Sequence, residues 1–156
     1  MAKKQLPPRS YRRATLSDLD NLLLCAKGLS DELGFVRRVE VEEAIRREEV
    51  WMALSLDTPL GFLHYHRRRD GWVTVYLLAV RKEARGLGVG STLLEILQEW
   101  ARGMGCQGLR LKCPEDLKSN QFYSRVGWRL IQTEPGRKRA LNVWIYPLQS
   151  DVSIFA

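Results

Sequence analysis

Glycine alternates with other residues in Arg85-Gly86-Leu87-Gly88-Val89-Gly90, and Ser91 closes the run. A phosphate group is held well by backbone N–H donors that converge on it without Cβ atoms in the way, and a helix N-terminus behind them adds its dipole. This run offers both. Spacing excludes two well-known phosphate binders. The nucleotide loop GxxxxGK[ST] requires a lysine before the hydroxyl residue, and here Gly90 precedes Ser91 directly. The dinucleotide fingerprint GxGxxG, counted from Gly86, requires a glycine where Ser91 stands, and it belongs to a βαβ unit, whereas the strands before this run read as a meander. A turn without a ligand would leave the entropic cost of three glycines unexplained.

Other residues able to do chemistry are fewer. His64 and His66 share one face of a strand and titrate near neutrality, but they lack further ligands to make a zinc site. Glu32 and Glu83 are further candidates to accept a proton, and Tyr76 is one to contact a substrate or position a water. Cys25, Cys106 and Cys113 are odd in number and form no CxxC pair, so they read as buried free thiols. As a nucleophile, Cys113 would need a base beside it.

These residues require elements to position them. Tyr11 to Ala14 reads as a short strand, followed by a capping box of Thr15 with Asp18 or Ser17 with Asp20 and a helix through Leu19, Leu22, Leu23, Ala26 and Leu29. A shorter helix carries Val41, Ala44 and Ile45. Strands follow from Val50 to Leu56, from Leu60 to His66 after a turn at Asp57-Thr58-Pro59, and from Trp72 to Val80 after Asp70-Gly71. From Ser91 the period becomes helical up to Gly103, and Leu109 to Cys113 is a fifth strand that a crossover can lay parallel to the fourth. A helix from about Leu117 to Val126, with Asp116 as its N-cap, precedes a closing hairpin of Trp128 to Thr133 and Ala140 to Tyr146. In that helix Ser119, Phe122 and Val126 make the inward stripe, and Tyr123 stands at its edge.

Composition bounds the rest. A chain of 156 residues, 45% hydrophobic, suffices for one core, and the expected organisation is a flexible start at 1–9, one domain over 10–149 and a tail at 150–156. No run of about 18 apolar residues and no apolar segment behind MAKK indicates a membrane span or secretion, so a cytoplasmic chain is expected. A net charge of +7 permits a polyanionic partner. Nucleic acid is not favoured, because Arg67-Arg68-Arg69 and Arg137-Lys138-Arg139 sit at turn signals without interleaved aromatics.

The stretch YLLAVRKEARGLGVGSTLLEIL, with R-x-x-G-x-G at Arg85 to Gly90, resembles the strand, pyrophosphate loop and helix of the GNAT superfamily of N-acetyltransferases. DLKSNQFYSRVGWRL is similar to that family's later helix, which commonly ends in F-Y-x-x-x-G-[FW]; one strand separates the two motifs, as in the family. The resemblance covers roughly residues 72 to 130. It implies an α+β fold with a mixed, mostly antiparallel sheet of about 6–7 strands flanked by helices, in which parallel strands 4 and 5 splay apart.

The resemblance also implies an activity: direct transfer of the acetyl group of acetyl-CoA to an amine, without a metal. The amides of Arg85, Gly86, Leu87, Gly88, Val89, Gly90 and Ser91 would bind the pyrophosphate. Leu78 and Val80 would offer backbone groups to the pantetheine arm, the Leu78 amide meeting the thioester oxygen if a bulge allows. Tyr123 would be the general acid, since a phenol with a reference pKa near ~10 stays protonated at neutral pH. Asn120 would contact the pantetheine or orient that group. Many relatives place a glutamate base on the fourth strand, and Val75 to Leu78 contains none. That absence keeps open a catalytically silent acyl-CoA-binding or protein-binding module. The acceptor, chosen in this fold largely by residues of about 29–43 and 134–140, has no readable motif, and an exposed hairpin or the tail offers a surface for a homodimer.

Overall fold

A computed structural model describes residues 8–149. The tail expected at 150–156 and the start up to residue 7 lie outside them. The chain divides into two compact units, Met1–His64 with Leu77–Leu93, and Tyr65–Tyr76 with Leu94–Ala156. Its strands are β1 (Arg9–Arg13), β2 (Val50–Ser55), β3 (Thr58–Arg67), β4 (Trp72–Val80), β5 (Gly108–Pro114), β6 (Arg129–Glu134) and β7 (Leu141–Pro147). They form one seven-stranded sheet in the order β1-β2-β3-β4-β5-β7-β6. The β4–β5 pair is parallel, and β1–β2, β2–β3, β5–β7 and β6–β7 are antiparallel. The mixed α+β architecture matches the expectation.

In the first unit, helices α1 (Leu19–Lys27), α2 (Ser30–Leu33) and α3 (Arg38–Arg46) follow β1. Leu19, Leu22 and Ala26 of α1 and Val41 and Ile45 of α3 recur at helical spacing and bury against Met52, Phe62 and Ala79 of the strands. The entry to α1 is a short 3-10 turn set by the first of the two expected capping boxes. The Thr15 amide donates to Asp18 Oδ2 at 2.7 Å, and Arg12 grips the same carboxylate at 2.7 and 2.9 Å. That hydrogen bond from Arg12 is the main reason the Asp18 pKa is lowered to about 2. Asp20 instead pairs with Arg38 at 2.7 Å.

In the second unit, helices α4 (Val89–Gly103, from Leu94 onward) and α5 (Ser119–Arg125) accompany β5, β6 and β7. The rings of Phe122, Trp128 and Trp144 lie 5.4, 5.9 and 6.2 Å from that of Tyr123, centroid to centroid.

Several boundaries depart from the sequence expectation. The strand β1 begins two residues early, at Arg9. The β2–β3 turn is Leu56-Asp57, with Leu56 at φ 53°, so Pro59 lies inside β3 opposite Leu54. A register shift at Ala53/Leu54 accommodates it, the kind of place where a strand tolerates proline. Helix α4 starts at Val89, ahead of Ser91, and a 3-10 turn at Lys82–Ala84 that the pattern did not disclose precedes it. Helix α5 starts at Ser119 behind Lys118; Asp116 caps nothing and pairs with Arg139 at 3.1 Å, a partner that sequence spacing does not reveal.

Two features of β4 matter for function. Its ladder with β5 runs from Trp72↔Gly108 to Val75↔Leu111 and ends there, while β4 continues to Val80. On its other side, Arg68 N–H donates to the Trp72 carbonyl and Arg81 N–H to the Leu60 carbonyl. Opposite residues thus have numbers adding to 140 at the first bond and 141 at the second, so β4 holds one more residue than β3 between them. One extra residue on one strand of an antiparallel pair is the count of a bulge.

Candidate functional site

The glycine loop is built on two left-handed residues. Gly86 has φ 77° and Gly88 φ 83°, values that a side-chain-bearing residue adopts at a cost of about 1–2 kcal/mol. Crowding does not select these glycines, because a Cβ at either would meet nothing within 4 Å. The space outside the backbone is open to a ligand. Gly90, by contrast, lies inside α4, so two of the three glycines shape the turn.

The loop leads straight into a helix N-terminus. The Thr92 N–H to Gly88 carbonyl bond, 3.0 Å, is the first of α4, so the amides of Val89, Gly90 and Ser91 lie in its first turn and lack helical acceptors. Val89 buries its side chain in the core, Leu87 is half exposed, and the Leu87 carbonyl accepts a bond from Arg9. N–H groups without helical acceptors and the positive end of the α4 dipole are the chemistry that an anion such as a pyrophosphate needs. The Arg85 side chain turns elsewhere: Nε donates to the Val80 carbonyl at 3.2 Å, and both terminal nitrogens hold Glu32. Leu78 and Val80 are half-buried on the stretch of β4 past the ladder with β5.

Tyr123 is the buried residue of α5, 8% exposed, where the sequence stripe expected it at the edge and Phe122 inside. The helix presents Tyr123 to Trp128 and Trp144, and Phe122 is the half-exposed neighbour. Burial pushes the phenol well above its ordinary range, the nearby Cys113 adding to the shift. It therefore stays a proton donor through the physiological range.

Asn120 turns its amide inward. Its Nδ2 donates to the carbonyls of Pro114 at 2.9 Å and Leu117 at 2.8 Å, and its Oδ1 accepts from Trp144 Nε1 at 2.9 Å and Asn142 Nδ2 at 3.1 Å. Two donors and two acceptor positions are filled, which leaves no capacity for the pantetheine contact expected of it. These bonds hold α5, the helix that carries Tyr123.

The basic candidates separate as well. Glu32 is paired with Arg85, and Glu83 is 71% exposed with Arg81 3.7 Å away. His64 and His66 are half-buried on β3, and no residue of β4 is a carboxylate. Burial pushes the Cys113 thiol up to about 11, which makes it a poor nucleophile at neutral pH. Among the described residues no group of three or more His, Cys, Asp or Glu could hold a metal ion, and no helix is long and apolar enough to cross a membrane.

The sequence matches the model of the acetyltransferase (GNAT) family over residues 16–128, a span that contains the loop, both flanking strands and Tyr123. The chain belongs to the GNAT acetyltransferase family. Its fold is shared with solved structures of low identity. Ard1 from Thermoplasma volcanium superposes with a TM-score of 0.82 at 16% identity, over 91% of this chain and 99% of that one. The ribosomal-protein-S18-alanine N-acetyltransferase from Escherichia coli gives 0.77 at 13%, over 94% and 99%. PaiA N-acetyltransferase from Thermoplasma acidophilum, solved in complex with coenzyme A, gives 0.76 at 16%, over 89% and 99%. No curated protein matches the sequence. Sequence reasoning offered Glu32 in this GNAT protein as a proton acceptor and missed its pairing with Arg85, 53 positions away, which no motif announces.

Proposed function

We propose that this acetyltransferase moves the acetyl group of acetyl-CoA directly to a primary amine of its acceptor, through one domain over residues 10–149. The observation that carries the reading is the pair of left-handed glycines opening onto the free first-turn amides of α4. Acetyl-CoA supplies an activated acetyl thioester. The amides of residues 85–91 hold its pyrophosphate, the Arg85 side chain acting within the loop. The stretch of β4 past its ladder with β5, around Leu78 and Val80, hydrogen-bonds its arm, and an N–H there meets negative charge developing on an oxygen. Tyr123 donates its hydroxyl proton to the departing sulfur, and Asn120 keeps α5 in place for it. A cytoplasmic location suits a chain with three free, buried thiols.

With no carboxylate on β4, the acceptor ammonium loses its proton to water, so kcat/KM should climb toward the amine's own pKa, near ~10 for a lysine-like group. The same missing carboxylate favours a second reading, a silent acyl-CoA-binding module. Incubation with acetyl-CoA and a panel of amines, peptide N-termini and aminoacyl-tRNA, with CoA release and acceptor mass measured across pH, separates them. Acetylated amine with a rising profile supports transfer. A plateau with a limb near ~6.5 would move the base to His64 or His66. Tight binding with no turnover on any acceptor would support the silent module.

A further inference from the structure

Arg85 is engaged on all three guanidinium nitrogens. Beyond the bond from Nε to Val80, its terminal nitrogens form a fork on the Glu32 carboxylate at 2.8 and 2.7 Å. The hydrogen bonding that Arg85 donates to Glu32 is the main influence holding the Arg85 pKa above its usual value. Glu32 lies on α2, which is anchored to the core of the first unit by Leu33 and by the preceding Leu29. Residues 29 and 33 share one face of a helical turn, so Asp31 and Glu32 face other directions. Asp31 reaches Lys82 at 3.5 Å. Helix α2 is thus fastened beside the glycine loop at two points, one a bidentate charge-assisted pair and the other a long, exposed contact of little worth.

Such a brace has a physical purpose here. A loop with two glycines is permissive, and each unbound conformation it visits weakens the affinity for a ligand that needs only one. Arg85 immediately precedes Gly86 and has extended backbone, φ −73° and ψ 153°, before the chain turns left-handed. Pinning its side chain to both Val80 and α2 fixes the direction from which the chain enters the turn.

We infer that Glu32 is a positioning residue of the pyrophosphate loop: it holds the Arg85 side chain against Val80 and α2, so that the loop's amides are pre-set for the ligand. The inference rests on the acetyl-CoA reading of that loop. It also makes α2 a strut between the loop and the connection at 34–37, which carries Phe35, 91% exposed.

The test compares wild type with Glu32→Gln, which keeps the shape and removes the charge. Two quantities are read: hydrogen exchange of the amides at 86–91 without ligand, and calorimetric affinity for CoA. Faster exchange together with CoA binding weakened about tenfold is expected. The kcat at saturating acetyl-CoA should stay within about twofold, a split that general destabilisation would not produce. Glu32→Asp, retaining the charge, should recover part of the affinity. Unchanged exchange and affinity would overturn the inference, and so would tighter CoA binding, since Arg85 would then be a phosphate ligand that Glu32 withholds. Should the wild type bind no CoA while the variant still loosens the loop, the cofactor reading fails and the positioning role stands.

Discussion

In the proposed reading, the groups that the glycine loop offers to a ligand are backbone N–H donors, shaped by left-handed turns at Gly86 and Gly88. In α5 the group offered is a single side-chain oxygen, on the buried residue of that helix and among the rings of Phe122, Trp128 and Trp144. The loop works by what its side chains leave out. The helix works by what surrounds one side chain. Damage should therefore take different forms: adding atoms harms the loop, while removing one atom harms the helix.

The largest effect expected from that contrast is at Gly88. A Gly88→Glu side chain enters open space at the anion site and brings like charge to it, so CoA affinity should fall by at least about 100-fold in calorimetry. Gly103, which also has open space around it but lies at the far end of α4, provides the control; Gly103→Glu should leave affinity within about twofold. Equal losses at the two positions would erase the distinction.

Tyr123→Phe comes next. Removing the hydroxyl should lower kcat at saturating acetyl-CoA by roughly 100-fold and leave CoA affinity close to wild type. A variant with full kcat would make Tyr123 a core aromatic and nothing more. Asn120→Ala should act on stability. It strips buried Trp144 Nε1 and Asn142 Nδ2 of an acceptor, an expected cost of about 2–3 kcal/mol, seen as a melting point lower by roughly 5–10 °C. An unchanged melting point would show that the amide network does not hold α5.

The smallest effect belongs to the entry of α1. Asp18 has a folded pKa lowered to about 2, below its unfolded value, so its contribution is present above about pH 4 and disappears as pH falls toward 2. Because Arg12 faces solvent, Asp18→Asn should cost about 1 kcal/mol at neutral pH, with the two denaturation midpoints converging in acid. A gap that persisted at pH 2 would assign the loss to packing.

The two regions also differ in how far the sequence discloses them. Glycine spacing, the missing lysine and the helical period after Ser91 point to an anion loop before α4, because its function depends on backbone, and backbone preference is local. The β2–β3–β4 meander, the β6–β7 hairpin and the parallel β4–β5 pair follow equally from turn signals and one long helix between strands, whereas the place of β7 between β5 and β6 does not. The environment of Tyr123 is a different matter. Periodicity placed Phe122 inside and Tyr123 at the edge, since a seven-residue helix is too short for its own stripe to outweigh the rings that β7 brings to it. The partners of Asn120 and Glu32 were hidden because they lie 24 and 53 positions away. The bulge in β4 shows only in the hydrogen-bond register.

The central claim, that the loop at 85–91 holds the pyrophosphate of acetyl-CoA, is tested most directly by calorimetric titration of the full chain with acetyl-CoA. The account predicts saturable one-to-one binding with a dissociation constant on the order of 1–100 μM. A folded protein that gives no binding heat, and that acetyl-CoA does not protect against thermal unfolding, would contradict it.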